Sequence, residues 1–181
     1  MLVMKFGGTS VQSAAAMQTV IDIVRSTTDD KKVVVASACS GVTNSLIELA
    51  GYAAIADTDA VNKAVTSLTE RHHTVCQELL FESPLLAPTM ARIDALCTEL
   101  RTLCEGIALL RECTERSRAL LLSFGERLST TILAAGLQAT GGTSATLVDV
   151  RVVMRTNSDY LEARATMSDV EKLAALHLRP L

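Results

Sequence analysis

The sequence predicts an α/β fold with a mainly parallel sheet that is covered by helices. Two apolar segments of strand length, residues 1–6 and 32–38, each end in a turn of small residues, and an amphipathic helix follows each turn. Strand, turn and helix repeated in this order are typical of βαβ units, whose strands are parallel and covered on both faces. A chain of 181 residues with 49% hydrophobic residues can bury a core of its own without disulfides or a metal.

The first half of the chain supplies these two units. Apolar residues at helical spacing predict a helix that starts after Ser10 or Ser13 and ends at Ser26, with Ser13 as a plausible N-cap. Residues 39–41 break the second strand, and a second helix is predicted from about Val42 to Ala56.

The middle of the chain predicts an antiparallel helical hairpin over about 60–113. Two apolar stripes step by three and four residues, and the breakers Ser83-Pro84 and Pro88 lie between them. The heptad spacing also leaves open a coiled-coil surface for a partner. His72 lies on the first stripe and is predicted to be a hydrogen-bonded core residue rather than a ligand or base.

The last third predicts a helix, a strand and a short helix. The long helix is expected from about Ser117 to Ala139, with Gly141-Gly142 at its end. Residues 144–150 are predicted to form a third strand. A short helix is predicted to open at Ser168, with Glu171 completing a capping box.

Composition excludes several classes of protein. A net charge of −3 and the absence of Trp argue against a nucleic-acid partner. No stretch approaches 18 apolar residues, so no membrane partner is expected. Five cysteines without a signal peptide predict reduced thiols in the cytoplasm. No CxxC pair and no His at zinc-ligand spacing occur, so no metal site is predicted.

The end of the first strand is the first candidate site. Lys5 lies at the carboxyl end of that strand, where open α/β sheets bind ligands. Gly7 and Gly8 allow a phosphate to approach the backbone N–H groups, and Thr9 and Ser10 add hydroxyl donors. The alternative is a tight turn beside a lysine that extends into solvent.

Two further segments are candidates for binding a polar small molecule. Residues 37–44 follow the second strand and face the same sheet edge; the alternative is a helix cap with Ser40 as N-cap. Gly125 and Glu126 lie inside a strongly apolar helical pattern, and the close approach of another group would explain the glycine. The alternatives are a capping box from Ser123 to Glu126 or a surface Glu–Arg pair.

Together these segments resemble one family, the aspartokinases within the amino acid kinase superfamily. The resemblance rests on the motifs KFGGTSV, SACSGVTN and SFGERLS, and on the DVRVVMRTN segment that begins at Asp149. The fourth motif is most like the lysine-sensitive aspartokinase III type. The resemblance implies an αβα sandwich of the amino acid kinase type, with a mainly parallel sheet and the helical hairpin as an insertion.

The resemblance also implies a reaction and residue roles. Aspartokinases transfer the γ-phosphoryl group of ATP, with Mg²⁺, to the side-chain carboxylate of L-aspartate, in the biosynthesis of lysine, threonine and methionine. Lys5 would be the catalytic cation on the phosphates, and Gly7, Gly8, Thr9 and Ser10 would complete the ATP-phosphate site. Thr43 would hold the aspartate carboxylate, Ser37 and Ala38 would line the pocket, and Glu126 would pair with the α-ammonium group.

The resemblance further implies that residues 1–181 are the amino-terminal portion of a catalytic domain. The TTLGRGGSD-type segment, the nucleotide-binding half and the ACT regulatory domains of the family are not in this sequence. We therefore expect a truncated, inactive fragment of an enzyme that is a homo-oligomer at full length. The alternatives are another amino acid kinase, or a non-catalytic binding or assembly module that pairs through the hairpin.

Overall fold

The computed structural model describes residues 1–29, 31–140, 144–160 and 162–181. These residues form two compact units, Met1–Ala145 and Thr146–Leu181. The first unit carries the sheet, the hairpin and three of the four sequence motifs.

A parallel two-stranded sheet joins the two predicted strands. Strand β1, Leu2–Phe6, pairs with strand β2, Lys32–Ala36, in a register that runs from Leu2 opposite Lys32 to Phe6 opposite Ala36. The predicted parallel pairing is confirmed. The side chains of one face pack against the core: Met4, Phe6, Val34 and Ala36.

The second face of this sheet differs from the expected two-sided cover. Alternation of side chains along the strands places Val3 and Lys5 on the face opposite the core, together with Val35 of β2. Val3 is 59% exposed and Val35 is 45% exposed. Within the described residues, the sheet is therefore open to solvent on this face.

Helices α1 and α2 follow the strands. A 3-10 turn, Gly8–Val11, precedes α1, Ala14–Ser26, and the Ser13 hydroxyl accepts a hydrogen bond from the Ala16 N–H at 3.3 Å, as predicted for its N-cap. Helix α2 spans Val42–Ala54 and its N-cap is Gly41, not Ser40. Gly41 has φ +81°, a left-handed conformation that glycine adopts far more readily than serine.

Helices α3, Thr58–Leu79, and α4, Leu86–Leu110, form the hairpin. Two contacts confirm its antiparallel direction: His73 Nε2 lies 2.8 Å from Asp94 Oδ1, and Arg101 donates to the Asn62 side chain. Pro88 lies in the first turn of α4, where its missing N–H has no helical partner to lose.

His72 is fully buried in the hairpin, as its position on the apolar stripe predicts. Its Nδ1 lies 2.7 Å from the Leu68 carbonyl oxygen, while its Nε2 has no partner among the described residues. Burial lowers the pKa of His72 below its ordinary value of 6.5.

The predicted single helix over 117–139 is wrong, because the structure has two helices there. Helix α5, Glu115–Leu122, and helix α6, Phe124–Ala139, meet at Ser123. The Ser123 hydroxyl donates to the Leu120 carbonyl at 2.7 Å, a local bond of the kind by which serine competes with helical hydrogen bonding. The predicted end at Gly141-Gly142 lies outside the described residues, and α6 has Thr140 as its C-cap.

By length and composition alone, Glu115–Ala139 is apolar enough to cross a membrane, with a mean hydropathy of 1.2. In the structure, 61% of this apolar stretch is buried inside the protein. The stretch therefore has the surroundings of core helices rather than of a lipid-facing span.

The second unit contains a 3-10 turn, Val150–Val152, and helix α7, Met167–His177. The predicted strand over 144–150 is wrong, since these residues form no strand with any described part of the chain. Strand conformation depends on a neighbouring ladder, and none is present to pair with them here. The predicted N-cap of the last helix is also wrong, because α7 starts one residue earlier and Thr166 is its N-cap instead of Ser168.

Candidate functional site

The turns that follow β1 and β2 are fastened to each other at the carboxyl edge of the sheet. We call residues 7–10 the first turn and residues 37–41 the second turn. Ser40 N donates to the Gly8 carbonyl at 3.1 Å. A Cβ atom at Gly8 would lie only 2.9 Å from the Ala38 carbonyl oxygen, so a side chain here would push the turns apart. The glycine that the sequence singled out is required by this close approach.

Helix α6 packs its first turn against the second turn. The Glu126 carboxylate accepts a hydrogen bond from the Ala38 N–H at 3.2 Å, and the Ser129 hydroxyl donates to the Ser37 carbonyl at 2.7 Å. A Cβ atom at Gly125 would lie 2.7 Å from the Ala38 Cβ. Close approach of another group therefore explains Gly125, which is one of the three interpretations of this segment that the sequence left open.

The competing explanations for Glu126 are wrong. Ser123 has helical backbone angles and makes no side-chain cap bond, so no capping box forms. Arg127 does not pair with Glu126 either. It makes two hydrogen bonds to Glu99 at 3.1 and 2.6 Å, and its guanidinium lies 4.3 Å from the centre of the Phe124 ring.

The first turn presents donors next to the open sheet face. Lys5 and Thr9 are exposed, and Ser10 is half-buried. The N–H groups of Gly7 and Gly8 have no hydrogen-bond acceptor within the described ranges, and a Cβ at Gly7 would meet only open space. Backbone N–H groups left free beside an ammonium group suit an anion such as phosphate.

Thr43 lies in the first turn of α2, and its side chain is exposed. Thr43 lies two residues after Gly41, at the N-terminal end of the helix that immediately follows the second turn. It faces solvent there. Ala38 is buried and Ser37 is half-buried in that turn. The structure thus gathers the predicted substrate residues at one end of the sheet, with the carboxylate of Glu126 beside them.

Arg71 of α3 contacts this site, although no motif or spacing in the sequence indicates it. Its guanidinium Nη2 donates to the Ser40 carbonyl at 2.7 Å. Cys39 lies buried in the same turn, and its thiol lies 3.0 Å from the Val11 carbonyl oxygen. Burial raises the pKa of Cys39 and the charge of Arg71 opposes this rise, so the Cys39 thiol stays protonated and structural.

No group of three or more His, Cys, Asp or Glu side chains that could hold a metal ion occurs in the part of the chain that the structure describes. The fourth motif lies in the second unit. There the Asp149 carboxylate accepts from the Arg151 backbone N–H at 3.0 Å and from its guanidinium at 2.6 Å. This ion pair holds the start of the fourth motif in place.

A comparison with protein families matches residues 1–175 to the model described as the amino acid kinase family. This chain belongs to the amino acid kinase family. The match covers all three motifs that meet at the sheet edge, together with the hairpin.

The relatives of this amino acid kinase chain are aspartokinases. The lysine-sensitive aspartokinase 3 of Escherichia coli K12 is 34% identical to it, over 99% of this chain and 37% of that protein. The chloroplastic aspartokinase 3 of Arabidopsis thaliana is 33% identical, over 89% of this chain and 28% of that protein. The chain spans about a quarter of the length of the first three matching relatives.

A solved structure has the same fold. The crystal structure of E. coli aspartokinase III in complex with aspartate and ADP superposes with a TM-score of 0.83 and 30% sequence identity, over 99% of this chain and 38% of that chain. The predicted fold class, a truncated α/β amino acid kinase fold with a mainly parallel sheet, is confirmed.

Proposed function

We propose that this chain forms the aspartate-binding side of an aspartate kinase, which transfers a phosphoryl group from ATP to the side-chain carboxylate of L-aspartate. The observation that carries the proposal is the Glu126 carboxylate, held at the second turn by the Ala38 N–H at 3.2 Å. A carboxylate oxygen accepts more than one hydrogen bond, so Glu126 can also accept from an α-ammonium group.

The phosphate side of the proposed site is the first turn. Lys5 would be the catalytic cation that stabilises charge on the transferring phosphoryl group, and Gly7 and Gly8 would donate their backbone N–H groups to it. Thr9 and Ser10 would add hydroxyl donors. Phosphoryl transfer depends on positioning and on electrostatic stabilisation, and an exposed ammonium beside unsatisfied N–H groups supplies both.

The aspartate side of the proposed site is the second turn with the start of α2. Thr43 would donate its hydroxyl to a substrate carboxylate, and Ser37 and Ala38 would line the pocket between Thr43 and Glu126. The Glu126 carboxylate on α6 and the Thr43 hydroxyl on α2 match the ammonium group and a carboxylate group of an amino acid. The pathway that we propose for the product is the biosynthesis of lysine, threonine and methionine.

The proposed phosphoryl donor is ATP with Mg²⁺. Mg²⁺ is commonly held by substrate phosphates and one or two protein carboxylates, so it would reach the site together with ATP. We further propose that the complete enzyme is a cytoplasmic homo-oligomer. The chain spans 37% of the E. coli relative, and we propose that it binds aspartate but does not catalyse by itself.

Calorimetric titration of the 181-residue chain tests the proposal. L-aspartate is expected to bind, while N-acetyl-L-aspartate, which lacks the ammonium group, is expected to bind at least about tenfold more weakly. Glu126→Gln removes the charge but keeps the shape and is expected to reduce aspartate binding by a similar factor. Glu105→Gln, at an exposed position of α4, is the matched control and is expected to bind like the wild type.

Two results would each overturn one part of the proposal, the first the role of Glu126 and the second the inactivity of the isolated chain. Equal binding of L-aspartate and its N-acetyl derivative would remove Glu126 from its role. Formation of aspartyl phosphate by the isolated chain at an ordinary enzyme rate, in an assay with ATP and Mg²⁺, would show that the chain is not an inactive fragment.

A further inference from the structure

Arg71 links the hairpin to the second turn by a side-chain hydrogen bond. Arg71 lies on α3, 31 residues after Ser40 in sequence, and its Nη2 donates to the Ser40 carbonyl at 2.7 Å. Its Nη1 lies 3.8 Å from the position of a Cβ atom at Gly41. The guanidinium therefore spans the last two residues of the turn, directly before α2.

The hydrogen bond from Arg71 to Ser40 lies next to Gly41, the residue of the turn that has a left-handed backbone conformation. Gly41 has φ +81°, and the next residue begins α2. Ser40 is held from both sides, since its N–H donates to Gly8 and its carbonyl accepts from Arg71. A charged donor makes a stronger hydrogen bond than a neutral one, and Arg71 is half-buried, which limits competition from water.

The position of the second turn matters for the proposed site because the two proposed substrate-binding side chains, Glu126 and Thr43, lie on either side of it. Ala38 donates to Glu126, and Thr43 follows the turn in the first turn of α2. A shift of the Ser40 peptide would change the distance between these two groups. The hairpin, which the sequence presents only as a packing or pairing element, thus reaches the site through one side chain.

We infer that Arg71 is a positioning residue, which fixes the second turn so that Thr43 and Glu126 are held at the spacing that an amino acid substrate requires. The role in substrate binding rests on the proposed function, whereas the ordering of the turn does not. Burial raises the pKa of the buried Cys39 thiol in this turn, and the positive charge of Arg71 opposes that rise. This positive charge therefore favours an anionic group, such as a substrate carboxylate, at this end of α2.

Three variants separate positioning from general stabilisation. Arg71→Met keeps most of the side-chain volume but removes the charge and the donors, and Arg71→Lys restores the charge with a single donor group. Arg101→Met is the matched control, because Arg101 also joins the hairpin helices through Asn62 and does not contact the turn.

Amide hydrogen exchange of Ser40 and Val42, read by NMR on the 181-residue chain, is the first measurement. Arg71→Met is expected to raise the exchange rate of both amides by about tenfold relative to Arg101→Met, and Arg71→Lys is expected to recover part of the protection. Equal exchange in Arg71→Met and Arg101→Met would overturn the inference, whether or not the chain binds aspartate.

Aspartate affinity of the same variants is the second measurement. Arg71→Met is expected to weaken binding by about tenfold, with Arg71→Lys in between and Arg101→Met unchanged. If the wild type binds aspartate and Arg71→Met binds equally well, the inference is wrong and the proposed function stands. If the wild type does not bind, the proposed function fails, and the exchange measurement alone decides the role of Arg71 in ordering the turn.

Discussion

Gly125 is the residue on which the contact between α6 and the second turn depends. The backbone of α6 approaches Ala38 so closely that a single added methyl group would lie 2.7 Å from the Ala38 Cβ. The neighbour is itself a methyl group fixed to a turn, which cannot rotate out of the way. The absence of a side chain at Gly125 therefore lets Glu126 reach the Ala38 N–H.

Gly125→Ala is expected to destabilise the chain by about 1–3 kcal/mol, because overpacking a fixed contact costs more than the gain in helix propensity. Gly106→Ala is the matched control in α4, where a Cβ atom meets nothing within 4 Å, and it is expected to stabilise by about 0.5–1 kcal/mol. Urea unfolding of both variants measures the two effects. A Gly125→Ala variant as stable as the wild type would contradict the close approach.

The stability of the helical hairpin is expected to depend on pH through His72. His72 is buried with a pKa below 6.5, so its neutral form is favoured in the folded state. The unfolded state therefore binds more protons in the interval below pH 6.5, and stability is lost as the pH falls through that interval. The neighbouring charges of Arg71 and His73 act in the same direction.

His72→Leu is expected to flatten this pH dependence, since leucine has no proton to bind. His72 alone contributes at most about 1.4 kcal/mol per pH unit to the fall in the free energy of unfolding below pH 6.5, and the variant should lack this contribution. Gln77→Leu, at an exposed position of the same helix, is the control and should retain the wild-type slope, because neither side chain titrates. Identical slopes in His72→Leu and the wild type would show that His72 does not titrate on unfolding.

Elements with strong periodicity were predictable from the sequence, and elements that depend on neighbours were not. The hairpin and the Ser13 cap follow from local patterns, and the structure confirms them. The strand expected over 144–150 depends on a partner strand, which no local pattern reports. The break between α5 and α6 at Ser123 is confined to one residue, which a smoothed apolar periodicity conceals.

The candidate site was predictable to the same extent. Glycines and small residues after two strands indicated where the turns would meet, because parallel strands share a carboxyl edge. Arg71 could not be found in this way. It lies 31 residues from Ser40 in sequence, and a contact between residues so far apart produces no local sequence pattern.

At the scale of the whole molecule, the described structure differs most from the expected fold at the sheet, because one of its two faces is not covered by helices. Val3 and Val35 are exposed on this face, and the two strands pair only with each other within the described residues. Unpaired strand edges beside exposed valines favour association with another chain. We expect the 181-residue chain to self-associate through this face.

Val35→Lys is expected to reduce self-association, because a charge on the sheet face opposes edge-to-edge pairing. Ile23→Lys is the matched control on α1, since Ile23 and Val35 are both 45% exposed. Sedimentation velocity over a range of concentrations measures the effect. If Ile23→Lys lowers the apparent mass as much as Val35→Lys does, surface charge and not the sheet face governs association.

The central claim is that the three motifs meet to bind the ammonium end of aspartate at Glu126. The Ala38 amide reports on this directly, because it donates to the Glu126 carboxylate. In an NMR titration, L-aspartate is expected to shift the Ala38 N–H resonance to saturation, and N-acetyl-L-aspartate is expected to leave it in place. An Ala38 resonance that stays still at saturating L-aspartate, or that moves equally with both compounds, would contradict the account.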